Sequence, residues 1–280
     1  MFSLSMKGIQ RETVHIKVEG RRVPLLILRP DSETGNASGV LWFHGGGYMT
    51  GMKEMAYAGR PADLVRKHGA VVVAPGYHLS LLYPYPIAIK ECYAALLFVK
   101  KHAYELGINS SQIMVGGESA GGGLAAAVAM LARDRGEVKI AFQMPLYPMI
   151  DNYDTDSSRD NHAKIWNTRK NHMAWKVYLR QGYGKEVSPY AAPARQKDYT
   201  GLPPAYSFVC TAEPFHDEVL TYIDNLKRAG ISAHVDVYEG MYHAFDLMEP
   251  DHPVSRMAIE KFNEYFACAQ KTFFADNLPK

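Results

Sequence analysis

The stretch Val115-Gly116-Gly117-Glu118-Ser119-Ala120-Gly121-Gly122-Gly123 decides how this chain folds. It overlaps the apolar run Ile113-Met114-Val115 and is followed by Leu124 to Ala132, an alanine-rich segment that forms helix readily. A strand, a serine between two glycines at a bend, and a helix are the context that a G-x-S-x-G nucleophile elbow requires. The glycines keep such a turn tight, because a Cβ on either one would collide with the neighbouring strand or helix.

We therefore interpret Ser119 as a nucleophile at the N-terminus of a helix. The positive end of the helix dipole favours negative charge that develops there. The alternative interpretation is a packed helix, rich in alanine and glycine, that contains an incidental serine. Which of the two applies depends on whether the rest of the chain supplies a base, a carboxylate and donors for an oxyanion.

The composition excludes several classes of protein. Hydrophobic residues make up 47% of the 280 residues, which is enough for a substantial core and too many for a disordered chain. The net charge of +2 gives no reason to expect nucleic acid or an anionic membrane as a partner. The longest apolar run, Leu124 to Ala132, is too short to span a bilayer, and Met1 to Lys7 lacks the apolar region of a secretory signal.

Cysteine usage points to a reducing compartment. The chain has three cysteines, Cys92, Cys210 and Cys268, and they are widely spaced. Their number is odd and their spacing fits neither a metal site nor a disulfide framework. We expect a cytoplasmic protein that needs no metal and no cofactor.

Apolar runs and helical patterns alternate along most of the chain, which predicts a mainly parallel sheet with helices on both faces, an α/β fold. Segment 151–201 interrupts this order with charged, tyrosine-rich and proline-rich stretches. We interpret the chain, residues 1–280, as one domain in which 151–201 is a cap insertion. The predicted strands are 14–18, 23–28 (a hairpin with the first), 40–43, 70–74, 113–115, one within 138–147, 205–210 and 232–238. The predicted helices, besides the one after the elbow, are 56–68, 87–102, 215–229 and 254–271, with two more in the insertion near 160–167 and 170–181.

Four polar or glycine-rich segments follow directly after predicted strands. They are the glycine run after Phe43, the elbow after Val115, the acids after Cys210 and a histidine after Tyr238. Ligands of parallel α/β sheets bind at the carboxyl ends of the strands. The four segments are therefore expected to meet at one edge of the sheet.

A serine nucleophile needs a base, and a carboxylate must orient that base. Among eleven histidines, His243 has the best position, on a loop after the last strand. Glu213 is the favoured carboxylate because it stands at the end of a strand. Asp217 and Glu218 fall in the first turn of a helix, where the dipole alone explains an acid. Asp217 is the main alternative to Glu213, and Asp151, which follows another strand, is a remote one. Asp246 follows the histidine and so stands in the wrong order.

The run His44-Gly45-Gly46-Gly47 is the second anchor of the site. Acyl transfer places negative charge on a carbonyl oxygen, and preorganised backbone N–H groups stabilise that charge. We predict that the N–H groups of Gly46, Gly47 and Ala120 form the oxyanion hole. The alternative is an ordinary glycine-rich turn.

These motifs resemble those of the hormone-sensitive-lipase-like group of α/β-hydrolase esterases. The resemblance rests on the run from His44 to Tyr48, on the elbow Gly117 to Gly122, on His243-Ala244-Phe245, and on Glu213 to Glu218, which is similar to the group's Asp-Pro-Leu-Arg-Asp-Glu. It implies the α/β-hydrolase fold and assigns the catalytic acid to Glu213. The sequence departs from the group in having glutamate there, so a longer side chain must reach the histidine from a slightly withdrawn backbone.

The resulting expectation is a serine carboxylesterase that hydrolyses short-chain acyl esters, acetyl esters among them, through an acyl-enzyme on Ser119. An amidase, formamidase or peptidase with the same residues is the first alternative, and a non-catalytic ligand receptor on the same scaffold is the second.

For an esterase, the expected partner is a small ester. Relatives often form homodimers through the sheet edge, which here would involve 232–238. The cap aromatics Trp166, Trp175, Tyr178 and Tyr183 either line a small apolar pocket or pack the cap onto the core.

Overall fold

Eight strands form one sheet in the order β1-β2-β4-β3-β5-β6-β7-β8. The computed structural model describes residues 7–32 and 35–277, so the prediction about Met1 to Lys7 lies outside the described residues except for Lys7. β2 pairs antiparallel with both β1 and β4, and all other neighbours are parallel. The strands are β1 (Ile9–Val18), β2 (Arg21–Pro30), β3 (Ala37–Phe43), β4 (Val71–Pro75), β5 (Ile108–Glu118), β6 (Phe142–Leu146), β7 (Ala205–Cys210) and β8 (Ala233–Tyr238).

Helices follow the parallel strands, as the alternation predicted. The fully buried patterns of β3, β4, β6 and β7 explain why these strands are continuous apolar runs, since both faces of the sheet are covered. The helices are α1 (Arg60–His68), α2 (Ile87–Lys101), α3 (Ala120–Arg135), α4 (Asp156–Arg159), α5 (Thr168–Leu179), α6 (His216–Arg228), α7 (Phe245–Met248) and α8 (Pro253–Thr272).

Two predicted helices are wrong. The helix predicted at 56–68 is broken: a 3₁₀ turn, Lys53–Tyr57, ends before Gly59, whose φ of 66° stops the helix from continuing. The helix predicted at 160–167 is absent. Asn161 holds this segment in a turn instead, since its N–H donates to the Thr168 hydroxyl at 2.7 Å and its side chain accepts from the Ala163 N–H at 3.0 Å. Such local side-chain bonds compete with helical ones.

Segment 151–201 packs onto the sheet domain through aromatic rings. Tyr178 of α5 stacks on Tyr48, with ring centroids 4.0 Å apart, and Trp175 lies 5.9 Å from the same ring. Both cap side chains are fully buried in the core that also covers the sheet. The treatment of the chain as one domain with a cap stays a prediction, and these contacts show how the segment would be held.

The elbow between β5 and α3 is closely packed against the sheet. A Cβ on Gly121 would lie 2.1 Å from the Phe43 carbonyl oxygen, and one on Gly117 would lie 2.5 Å from the same atom. The Phe43 carbonyl belongs to the backbone, so it cannot avoid the clash by a change of rotamer. The first turn of α3 therefore rests directly on the carboxyl ends of β3 and β5, which was the reason predicted for the two glycines.

We expect Gly121→Ala to destabilise the protein by about 1–3 kcal/mol, because the added methyl forces the helix away from the sheet. Urea unfolding followed by circular dichroism measures this free energy. Gly35→Ala is the matched control, since its Cβ would meet no atom within 4 Å, and it should leave stability unchanged. Equal stability of the two variants would contradict this account of the elbow.

Candidate active site

Ser119 occupies the bend between β5 and α3 with φ 57° and ψ −121°. This conformation is uncommon for a residue with a side chain and persists only where the surroundings enforce it. Here the Ser119 N–H donates to the Leu146 carbonyl at 3.0 Å. Its carbonyl accepts from the N–H groups of Gly123 and Met149, both at 3.0 Å. The hydroxyl is thereby presented at the carboxyl edge of the sheet.

Three predicted side chains form one line of hydrogen bonds. His243 Nε2 lies 2.9 Å from Ser119 Oγ, and His243 Nδ1 lies 2.5 Å from Glu213 Oε2. The other oxygen of Glu213 accepts from the Cys210 N–H at 2.8 Å. A carboxylate only accepts, so Nδ1 carries the proton and Nε2 is free to accept from the serine hydroxyl. The histidine is thus in the tautomer that a general base needs.

Aromatic rings enclose the imidazole. Phe215 and Tyr147 meet it edge to face, with centroids 4.9 Å and 5.0 Å away, and Trp166 lies 6.3 Å away. His243 is 3% exposed and Glu213 is fully buried. The rings keep water from competing for the hydrogen bond between His243 and Glu213. Electrostatic interactions are stronger in such a water-excluded site.

The alternative carboxylates have other partners. Asp217 accepts from the Ser157 N–H at 2.8 Å, and Asp151 forms an ion pair with Arg195. Glu218, which the sequence assigned to the helix dipole, is buried and accepts the N–H groups after β6. Glu213 is the carboxylate that the structure places against the histidine.

The glycine run lies beside the nucleophile. A Cβ built on Gly45 would be 3.3 Å from Ser119 Cβ, so the two segments are in contact. Gly46 and Gly47 have φ angles of 114° and 60°. Within residues 7–32 and 35–277, the N–H groups of Gly46, Gly47 and Ala120 form no hydrogen bond with protein atoms. They are therefore available as donors to a bound oxyanion.

The four cap aromatics divide between the two predicted roles. Trp175 and Tyr178 are packing residues, as described above. Trp166 stands at the site: a Cβ on Gly47 would lie 2.4 Å from its indole ring. Tyr183 is half-buried against the core. Trp166 therefore lies against Gly47, one of the three predicted oxyanion donors.

Sequence reasoning missed a buried charge cluster behind the site. Arg60 pairs with Glu118 at 3.3 Å and with Asp246, and all three residues are buried. Burial raises the pKa of Glu118 to about 7, although Arg60 and the indole of Trp42 oppose the shift. The available signal was that Glu118 and Asp246 flank predicted catalytic residues. The arginine, far away in sequence, carried no such signal.

The described residues provide neither a cluster of metal ligands nor a membrane-spanning helix. Among the described residues, no three histidine, cysteine or acidic side chains come together in a way that could hold a metal ion. None of the helices within 7–32 and 35–277 combines the length and apolar character that crossing a bilayer requires.

The chain is similar in sequence to a known family and to proteins named as esterases. A family model described as the α/β-hydrolase fold matches residues 40–247. Esterase LipI of Mycobacterium tuberculosis is 32% identical over 213 residues, 74% of this chain and 65% of LipI. Carboxylesterase NlhH of the same organism is 31% identical over 227 residues, 80% of this chain and 71% of NlhH. The chain therefore spans about two thirds of the length of these relatives.

Solved structures show the same likeness. The structure named Bacterial Heroin Esterase superposes with a TM-score of 0.88 and 34% identity, covering 92% of this chain and 84% of that one. Esterase LipW from Mycobacterium marinum superposes with a TM-score of 0.86 and 28% identity, covering 94% of this chain and 82% of that one. Each likeness covers more than nine tenths of this chain.

The pKa of Glu118 predicts a pH dependence of stability. A carboxyl whose pKa rises from 4.5 to about 7 on folding stabilises the folded state while protonated, and this contribution is lost as pH rises through that window. The free energy of unfolding of the wild type should fall by on the order of 3 kcal/mol as pH rises through this window. Glu118→Gln cannot titrate, so its free energy of unfolding should not show this fall. Urea unfolding between pH 4.5 and 8 measures it. Glu264→Gln, on the exposed face of α8, is the control; a Glu118→Gln curve parallel to the wild-type curve would contradict the shift.

Proposed function

The chain belongs to the α/β-hydrolase fold family, in the hormone-sensitive-lipase-like group of carboxylic ester hydrolases, and from that premise we propose that Ser119, His243 and Glu213 are its catalytic triad. We propose further that it hydrolyses short-chain acyl esters, acetyl esters among them, through an acyl-enzyme. The observation that carries the proposal is the hydrogen-bonded line from Ser119 Oγ through His243 to Glu213, set beside three free N–H donors.

Acylation begins at the serine. His243 Nε2 takes the proton of Ser119 Oγ as the oxygen attacks the ester carbonyl carbon. The carbonyl oxygen becomes negative and accepts from the N–H groups of Gly46, Gly47 and Ala120. The tetrahedral intermediate then expels the alkoxide, which takes the proton from His243 and leaves as alcohol. Ser119 retains the acyl group.

Deacylation repeats these steps with water. His243 takes a proton from the water as it attacks the acyl carbon, and the same three donors bind the oxyanion. Ser119 Oγ leaves and recovers its proton from His243, and the carboxylic acid departs. Glu213 holds the imidazole throughout and stabilises its charged form at a distance of 2.5 Å.

The preference for short acyl groups is supported by the aromatic rings around Gly47 and His243. The Trp166 ring lies over Gly47, and Phe215 and Tyr147 close in on the histidine. Bulky fixed rings leave little length for an acyl chain beside Ser119. A longer chain would have to displace the indole from its contact with the core.

The setting of the enzyme is also part of the proposal. Its three cysteines are free, and two of them are buried, which supports work in the reducing cytoplasm. The strand β8 stands at one edge of the sheet, and a homodimer formed through that edge would use it.

Labelling with a fluorophosphonate tests the nucleophile. We expect the wild-type chain to be modified on Ser119 and to lose activity in step with labelling, because the activated hydroxyl attacks the phosphorus. Ser119→Ala should remain folded, escape labelling and lose at least about 10⁴-fold in kcat. Mass spectrometry of the modified peptide identifies the site. Modification elsewhere, or activity that survives in the Ser119→Ala variant, would remove Ser119 from this role.

A series of p-nitrophenyl esters from acetyl to decanoyl tests the substrate class. We expect kcat/KM to be highest for the shortest acyl groups and to fall at least about tenfold by decanoyl, since each methylene that does not fit costs binding. Matched p-nitroanilides separate an esterase from an amidase. A maximum at decanoyl would refute the short-chain preference, and anilides cleaved as fast as esters would favour the amidase.

Paired acid variants test the third triad residue. Glu213→Gln should lower kcat by about 10³-fold, because the neutral amide no longer fixes the tautomer of His243 or stabilises its charge. Asp217→Asn is the same chemical change a few residues away and should alter kcat by less than about threefold. Both are measured with the acetyl ester. A large loss in Asp217→Asn alone would transfer the role to Asp217.

A further inference from the structure

Arg60 connects the two segments that carry the nucleophile and the base. Its Nη1 donates to Glu118 Oε1 at 3.3 Å, and Glu118 directly precedes Ser119. Its Nη2 donates to Asp246 Oδ2, three residues after His243. One guanidinium from α1 thus bridges the end of β5 and the start of α7.

The bridge is buried and has aromatic and polar neighbours. Arg60 and Asp246 are each 2% exposed, and the guanidinium carbon lies 5.0 Å from the Phe208 ring centroid. The Trp42 indole donates to the second oxygen of Glu118 at 2.8 Å, and the Tyr147 hydroxyl lies 3.5 Å from Asp246. A buried ion pair contributes little to stability beyond a well-packed apolar replacement, so stability alone does not account for this cluster.

We propose that Arg60 is a positioning residue, which holds Glu118 and Asp246 so that Ser119 Oγ and His243 Nε2 stay within hydrogen-bonding distance. The inference rests on the proposed function and adds to it a group that contacts neither the substrate nor the triad. The planar guanidinium is suited to the role, because its rigid fork fixes two carboxylates in direction as well as distance.

The geometry explains why such a brace is useful. Ser119 is held by its own turn, but His243 lies on a loop whose neighbour α7 has only one helical turn, Phe245–Met248. A loop of this kind positions its side chains less precisely than a strand or a long helix does. The Arg60 bridge ties the loop to α1 and to the end of β5. A displacement of about 1 Å between nucleophile and base can cost on the order of 100-fold in rate.

A cavity gives experimental access to the bridge. It has a volume of about 420 Å³ and is lined by Arg60, Glu118 and Asp246 together with apolar side chains from 55–61 and 247–259. Neither Ser119 nor His243 lines it. We therefore expect a small cation bound in this cavity to lie beside the two carboxylates and outside the catalytic site.

The first test compares variants at both ends of the bridge. Arg60→Lys cannot fork to both carboxylates, and Glu118→Leu removes one of them while leaving Arg60 paired with Asp246. We expect each to lower kcat for the acetyl ester by about 10–100-fold with KM changed less than about twofold. Glu118→Gln keeps one oxygen that can accept from Arg60 but loses the oxygen that accepts from the Trp42 indole, so it should lose clearly less kcat than Glu118→Leu. Arg66→Ala, an exposed position of α1, is the control.

The second test is rescue and a spectroscopic measurement. Methylguanidinium at millimolar concentration should raise kcat of Arg60→Ala at least about tenfold and saturably, while ammonium at equal ionic strength should not. If that variant does not fold, the Lys and Leu variants decide. The Nδ1 proton resonance of His243, followed by NMR with labelled histidine, should shift or broaden in Arg60→Lys and in Glu118→Leu. It should stay unchanged in Arg66→Ala.

The outcomes separate this inference from the function on which it rests. Wild-type kcat together with an unchanged resonance in Arg60→Lys and Glu118→Leu would overturn the positioning role. A loss of kcat that only follows the unfolded fraction would overturn it as well. If the wild type neither hydrolyses esters nor reacts with a fluorophosphonate, the esterase proposal is overturned. The positioning role of Arg60 would still be supported if the His243 resonance changes in Arg60→Lys and Glu118→Leu.

Discussion

The close approach of helix α3 to the sheet is the constraint on which the site depends. Only glycine at positions 117 and 121 lets the helix start within van der Waals distance of the Phe43 carbonyl. That approach forces Ser119 into its unusual backbone conformation and directs its hydroxyl away from the sheet. It also brings the glycine run after β3 against the same serine. One steric condition thus produces both the nucleophile and the neighbouring oxyanion donors.

The histidine and the acid reach the serine by a different route. Parallel pairing of β7 with β8 places their carboxyl ends side by side, so Glu213 and His243 come from adjacent loops. The Thr211 N–H donates to the Tyr238 carbonyl at 3.1 Å, which extends this pairing into the loops. Sheet topology therefore determines which segments meet. Side-chain packing around the imidazole then determines how precisely they meet.

These two levels explain what the sequence could predict. Ser119, Glu213 and His243 each follow a strand and carry distinctive chemistry, so a local pattern identifies them and the topology brings them together. Arg60 lies in a helix whose neighbours in sequence reveal nothing of Glu118 or Asp246. The helix expected at 160–167 failed for a related reason: its composition suits a helix, but the Asn161 hydrogen bonds that prevent one depend on Thr168, several residues away.

The glutamate in the acid position shows how a departure from the family pattern is accommodated. Its side chain is one methylene longer than aspartate, and the fold uses the extra length by tying one oxygen back to the Cys210 N–H at the end of β7. The carboxylate is thus held at two points, a backbone donor and His243 Nδ1. Burying a polar group is costly unless it forms hydrogen bonds, and both oxygens of this carboxylate have a partner. The longer side chain therefore reaches the histidine and is anchored at its other oxygen, so its additional rotatable bond does not loosen the site.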